Sequence, residues 1–224
     1  MSRSSIIKQL SNLAKSLEGI DINVYKEYQR DPTEPVIGHG NPESAIAIFG
    51  RDPGRDEVKL QMPFIGAGGQ KVRTTLYKHL YKREMPDFDA SVEVGSHFFW
   101  ANTCPYKPVG NKAWSMKVKK QFQPVVSDLL LQLWSGKEII TLGREAFFWF
   151  AINQDKEVKQ QLEAFWALED RFNTSTTVTL HGQDGQSREV RLHPLPHPSP
   201  LNATWYKRFP DLLAQRLKQL RVTL

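Results

Sequence analysis

The apolar positions of this chain fall into two rhythms. Short runs rich in β-branched and aromatic residues occupy 45–49 (Ala-Ile-Ala-Ile-Phe), 98–101, 138–142 and 190–192, the pattern of strands largely buried in a sheet. Elsewhere apolar residues recur at helical spacing, over 4–17, 71–82, 117–134, 145–152 and 210–222. Ile6, Leu10, Leu13, Ala14 and Leu17 form the first of these stripes. Pro210 suits the opening turn of the last helix, where a missing N–H has no partner to lose. Strands alternating with helices predict an α/β fold, three layers α/β/α around a central, mostly parallel four-stranded sheet. Residues 176–180 and 187–192 flank Gly182-Gln183-Asp184-Gly185 and read as a hairpin. Residues 156–172 fit either an extra helix or an insertion. No repeat, low-complexity stretch or boundary divides the chain, so residues 1–224 are expected to form one domain, with 1–40 as an N-terminal helix and lead-in.

Composition narrows the class. With 224 residues, 40% hydrophobic and 24% charged, the chain is that of an ordinary soluble globule. No apolar run approaches the ~20 residues of a membrane span, and the start lacks a secretory apolar core; no membrane role is expected. Arg3, Lys8 and Lys15 without an acid are faintly like an organelle transit peptide, but the apolar stripe there favours a packed helix. The single cysteine, Cys104, excludes an internal disulfide framework and a four-cysteine zinc or iron–sulfur site. An intracellular, metal-free and cofactor-free monomer is expected, cytoplasmic in a bacterium and nuclear or mitochondrial in a eukaryote. The net charge of +6 favours an anionic partner, nucleic acid first, against the bland alternative of an uncommitted basic surface.

The chemistry concentrates in loops. Gly50-Arg51-Asp52-Pro53-Gly54 directly follows the first strand, which places a carboxylate at the sheet edge where α/β proteins bind ligands. Asp52 before a proline also fits a plain turn cap. Met62-Pro63-Phe64-Ile65-Gly66-Ala67-Gly68-Gly69 comes next; its spacing is neither a P-loop nor a dinucleotide fingerprint, and close backbone approach or a helix entry explains the glycines better. Phe64 alone would be counted as core. The second strand ends at Asn102, an amide that can equally satisfy stray backbone groups, and Lys107-Pro108-Val109-Gly110-Asn111-Lys112 is a basic turn behind it. Near the end, His197-Pro198-Ser199-Pro200-Leu201-Asn202 is a loop stiffened by prolines on both sides of Ser199. Parallel strand order brings Asp52, Phe64, Asn102 and His197 to one edge. His193 and His197 are separated by prolines that preclude a helical metal pair. Trp100, Trp134, Trp149 and Trp166 read as core, while Trp205, in the loop after Asn202, is expected near a bound partner. Arg51, Lys107, Lys112, Lys207 and Arg208 flank the loops.

Taken in order, these motifs resemble the uracil-DNA glycosylase superfamily: Gly-x-Asp-Pro after the first strand, Pro-Phe-x-Gly, a strand ending in Asn, and His-Pro-Ser-Pro-Leu-Asn. The resemblance spans roughly residues 45–210. It implies a glycosylase acting on uracil-containing DNA in base excision repair, with Asp52 activating water and His197 as the electrophile. It also implies Phe64 as the aromatic platform, Asn102 as the amide that reads the base and Leu201 as the side chain entering the duplex. Arg51 and Gly54 fall in the same base site, and Pro198, Ser199, Asn202, Lys107 and Lys112 fall on the DNA-contacting loops. Gly54 departs from the most uracil-restricted branch, where a tyrosine excludes the thymine methyl. Residues 63–69 and 107–112 resemble the iron–sulfur branch, yet that branch has four cysteines and no acid at the Asp52 position. A cluster-free branch that keeps the carboxylate fits best.

Those residues suit hydrolysis of an N-glycosidic bond. A flipped base costs a few kcal/mol to extrude, which an apolar wedge at Leu201 offsets by filling the gap. Asn102 offers one acceptor and a donor to N3–H and O4 of uracil, the reverse of what cytosine presents. His197 can donate to the departing base and Asp52 can stabilise the sugar cation and orient water. Three alternatives stay open at this point: a glycosylase for a deaminated purine or mispaired thymine, a non-catalytic nucleic-acid-binding module, and a phosphate hydrolase using residues 66–69.

Overall fold

The computed structural model describes residues 2–38, 40–200 and 202–223. Its centre is a sheet of five strands in the order β2-β1-β3-β5-β4: β1 (Ile46–Gly50), β2 (Phe99–Asn102), β3 (Glu138–Leu142), β4 (Thr176–His181) and β5 (Ser187–Leu195). β1 runs parallel to β2 and β3, and β3 parallel to β5, so all four end at one edge. The architecture is the expected three-layer α/β/α, but the sheet has five strands rather than four. The fifth is the first arm of the hairpin: β4 pairs antiparallel with β5 and extends the sheet at its edge. Its alternation of half-buried and buried residues is the mark of a one-sided edge strand.

Alternate side chains of β1 go to opposite layers. Ala47 and Phe49 join Ile6 and Leu10 of α1 (Arg3–Ala14), Phe122 and Val126 of α6 (Met116–Leu133), Phe147 of α7 (Arg144–Trp149) and Leu162 of α8 (Lys156–Ala167). Ile46 and Ile48 join Val72 and Leu76 of α4 (Ala67–Tyr81), Val94 of α5 (Phe88–Gly95), and Phe209, Leu213 and Leu217 of α9 (Ala203–Gln219). Two short helices, α2 (Ile22–Glu27) and α3 (Arg55–Leu60), complete the set. The undecided segment 156–172 therefore begins as α8, whose buried Leu162 ties it to the core.

Two boundaries move in ways that matter for the site. α4 starts at Ala67, so Gly68 and Gly69 are a helix entry and not a phosphate cradle. α9 starts at Ala203, with Asn202 as its N-cap and Pro210 inside it rather than in its first turn. Trp205 is consequently a helical residue, packed edge-on against Phe172 at 5.0 Å, and not a loop residue. Among the described residues no helix is long and apolar enough to cross a membrane.

Candidate active site

The register sets the site. Gly50 of β1 lies opposite Asn102 of β2, and Leu142 of β3 lies opposite Leu195 of β5. The chain continuing from each strand therefore emerges at a single edge. There a cleft of about 420 Å³ is lined by Arg51, Asp52, Gly54, Phe64, Asn102, His197 and Ser199, among others. The structure brings together the four residues expected at that edge.

Asp52 is held from below. Its Oδ1 accepts a hydrogen bond from Thr103 Oγ1 at 3.0 Å, and Thr103 is fully buried, with its backbone N–H bonded to Gly50 O at 2.9 Å. Oδ2 is sealed from bulk solvent and finds no hydrogen-bond partner among the described residues. Burial pushes the carboxyl up to about 6 from its ordinary 3.8, against the opposing pull of the Thr103 hydroxyl, Arg51 and Lys119. The plain turn-cap reading does not account for this carboxylate, because a capping Asp spends its oxygens on nearby backbone N–H groups.

His197 sits across the cleft. Burial, and then the charge of Arg51, bring its pKa down to about 4, so the imidazole is neutral in ordinary buffers. Its place depends on Gly143, which follows β3 at φ 90°: a Cβ there would fall 2.9 Å from His197 Cβ. Only glycine takes that conformation and that proximity at little cost.

Asn102 is 6% exposed. Its Nδ2 donates to the carbonyl of Arg51. A carbonyl can only accept, so this contact fixes which end of the amide is nitrogen. Oδ1 is left buried with no partner among the described residues. Part of the side chain thus serves the backbone, and the remainder is an oriented, unused acceptor.

Phe64 has φ 55°, the left-handed region that costs a bulky L-residue on the order of 1–2 kcal/mol. Arg73 holds it there. The guanidinium, only 2% exposed, donates to Phe64 O at 2.8 Å, Pro63 O at 3.2 Å and Ser91 O at 2.7 Å, and lies over Trp100. Gly69 permits the approach, since a Cβ there would fall 2.0 Å from Phe64 O. The ring lies over the end of β1, where a Cβ on Gly50 would meet it at 2.5 Å. Glu57 joins the loops: Oε2 accepts from Gly54 N at 3.0 Å and Oε1 from Gly66 N at 2.9 Å.

Thr103, Arg73, Gly143 and Glu57 were not among the expected site residues. Glu57 alone carried a signal, an acid three positions into a helix that can reach back to the entry amide. Arg73 sits on an otherwise ordinary amphipathic stripe, and nothing in its spacing marks it as buried.

The DNA-side expectations divide. Lys112 is exposed, next in the chain to Asn111, which lines the cleft; Ser199 and Pro198 line it too, and Pro198 O abuts the first turn of α4 next to Gly68. Asn202 is half-buried as the N-cap of α9 and its carbonyl accepts from Tyr206 N. Leu201 lies outside the described residues. Lys107 requires correction: it is 3% exposed, with Nζ 2.9 Å from Asp21 Oδ2 and 3.0 Å from Pro108 O. It braces the loop internally and cannot reach a phosphate without breaking a buried ion pair.

With this geometry, the cleft can hold a flat base between an aromatic face and an oriented amide, with a carboxylate and a neutral imidazole beside it. Residues 37–221 match the family model described as the Uracil DNA glycosylase superfamily.

Proposed function

The chain belongs to the uracil DNA glycosylase superfamily, and from that premise we propose that it hydrolyses the N-glycosidic bond of uracil flipped out of DNA, leaving an abasic site. The family acts on DNA as a glycosylase; the base and the residue roles are the proposal. The observation that carries it is Asn102. With Nδ2 committed to the Arg51 carbonyl, Oδ1 is left as a buried acceptor for N3–H of uracil. Cytosine has no hydrogen at N3, and two facing acceptors in a buried site forfeit about 1–3 kcal/mol.

The other roles follow from the same cleft. Phe64 stacks on the base, a contact worth about 1–3 kcal/mol in comparable sites. As the bond breaks, negative charge develops on the base and positive charge on the sugar. Neutral His197 donates a hydrogen bond to the base oxygen. Asp52, ionised above about pH 6, stabilises the sugar cation and takes a proton from the attacking water. Ser199 and Pro198 position the flanking backbone, Lys112 meets phosphate at the rim, and Leu201 fills the gap left by the flipped nucleotide. No metal or organic cofactor enters these steps.

A second reading is favoured by one observation: position 54 carries no side chain of its own and only the Glu57 carboxylate borders it, 2.7 Å from where a Cβ would stand, so no bulky group at that position excludes a 5-substituted or larger base. Oligonucleotides carrying U, T, hypoxanthine or C, cleaved at abasic sites by hot alkali, separate the readings. Strand breaks at U, unaffected by EDTA, are the expected result. Breaks mainly at hypoxanthine or T would replace uracil as the substrate, and tight binding with no breaks at all would make the chain a binding module.

A further inference from the structure

Arg51 has a place in the cleft that base reading does not use. Its backbone carbonyl locks Asn102, while its guanidinium is anchored at the far end, Nη2 donating to Asn111 O at 3.0 Å. Asn111 belongs to the turn that follows Pro108 and itself has φ 55°, so the anchor is a fixed backbone oxygen and not a mobile side chain. Between these two ends, Nε–H is buried and has no acceptor among the described residues. Buried donors are almost always paired. One that is unpaired in the wall of a ligand cleft is matched to an acceptor that the ligand brings.

The charge balance of the reaction indicates which acceptor. When the C1′–N1 bond breaks, its electron pair leaves with the base. Water oxygen then bonds to C1′ and its proton passes to the Asp52 carboxylate, so the base departs as an anion that solvent protonates later. At that moment His197 is a neutral donor and Asp52 starts as an anion in the same cleft. Of the residues lining the cleft near these two groups, Arg51 brings a cation that acts on both. On the uracil reading above, we propose that Arg51 is a catalytic residue whose Nε–H and positive charge stabilise the departing base anion alongside His197. A fixed guanidinium suits this task because its planar fork is preorganised and always charged.

Leaving-group acidity separates this role from a phosphate contact or a structural one. A residue that stabilises the base anion matters less when the base is a better leaving group, and 5-fluorouracil is a more acidic base than uracil. Single-turnover release of uracil and of 5-fluorouracil from duplex DNA is compared for wild type, Arg51→Gln and Arg51→Lys. Neither substitution touches the backbone carbonyl that holds Asn102. Arg51→Gln is expected to slow uracil release by roughly 10²–10³-fold and 5-fluorouracil release by about tenfold or less. Arg51→Lys, which keeps the charge but lacks the Nε donor, is expected to fall between. Equal losses on the two bases, in either variant, would overturn the role and assign Arg51 to phosphate or to the fold. A wild type that releases neither base would overturn the uracil reading and this role with it, an outcome plainly distinct from equal losses.

Discussion

Burial sets the Asp52 carboxyl at about 6 in the folded chain against an ordinary 3.8, so the native state holds that proton more tightly than the unfolded state does. The stabilisation linked to the raised value is complete below about pH 4 and is lost as pH rises through 6. Above that, an ionised Asp52 costs the fold on the order of 3 kcal/mol. Asp52→Asn removes the charge while keeping the shape. It should raise the denaturation midpoint at pH 8 and leave it unchanged near pH 3.5, which thermal melts at the two pH values measure. His197 titrates in an overlapping window with the opposite sign, but it is common to both proteins and cancels in the comparison. At Asn102, Asn102→Asp takes away the donor to the Arg51 carbonyl and sets a carboxylate against a buried acceptor. Uracil release should fall by more than about 10²-fold, with weak cytosine release appearing, because the N4 amino group of cytosine can donate to the new acceptor. Unchanged uracil release would remove Asn102 from base reading. Both residues stood out in the sequence because each lies at the end of a strand; their unpaired oxygens did not, since those depend on Thr103 and on a carbonyl reached only across the β1–β2 register.

At the scale of elements, the strands and most helices were legible because their apolar spacing is set by the layer each one covers. The hairpin was visible too, but its first arm was not counted into the sheet, since an edge strand covered on one face looks like loop in a short window. Pro210 misled in the other direction: proline favours a first helical turn, yet α9 runs back to Ala203, where Asn202 caps it and Phe209 is buried. The supports of the site were the least legible part. Arg73 shows why, as three carbonyls from two separate segments converge on it. Truncation, Arg73→Ala, leaves those carbonyls without their donor and frees Phe64 to leave its left-handed conformation. A stability loss of about 3–5 kcal/mol is expected by denaturant titration. Gly143→Ala tests the opposite wall: the added methyl collides with His197 at φ 90°. Its release rate should fall by roughly tenfold or more while DNA affinity holds, because only the electrophile is displaced.

For the molecule as a whole, basic side chains lie in the cleft and on the segments next to it. Arg51 and Ser199 line the cleft, Lys112 is exposed beside the cleft-lining Asn111, and Lys207 and Arg208 are exposed on the helix that follows the His197 loop. DNA affinity should therefore fall steeply with salt, by about 0.9 in log–log slope for each phosphate neutralised on duplex. Lys107→Ala, in contrast, should leave that slope unchanged and lower stability instead, because its ammonium is spent on Asp21. The ends of β1, β2 and β5 bring a carboxylate, an amide and an imidazole from distant parts of the chain to one edge, and the loop between α3 and α4 adds the aromatic ring of Phe64. The most direct test is kcat/KM for uracil release against pH, for wild type beside Asp52→Asn. Wild-type activity should climb as pH rises through about 6, where Asp52 ionises, and His197 should add no limb until about 4. Asp52→Asn should be slower by roughly 10²–10⁴-fold, lack that limb, and still bind uracil-containing DNA. If Asp52→Asn releases uracil as fast as wild type, with the same acidic limb, the carboxylate at the end of β1 does not carry the reaction.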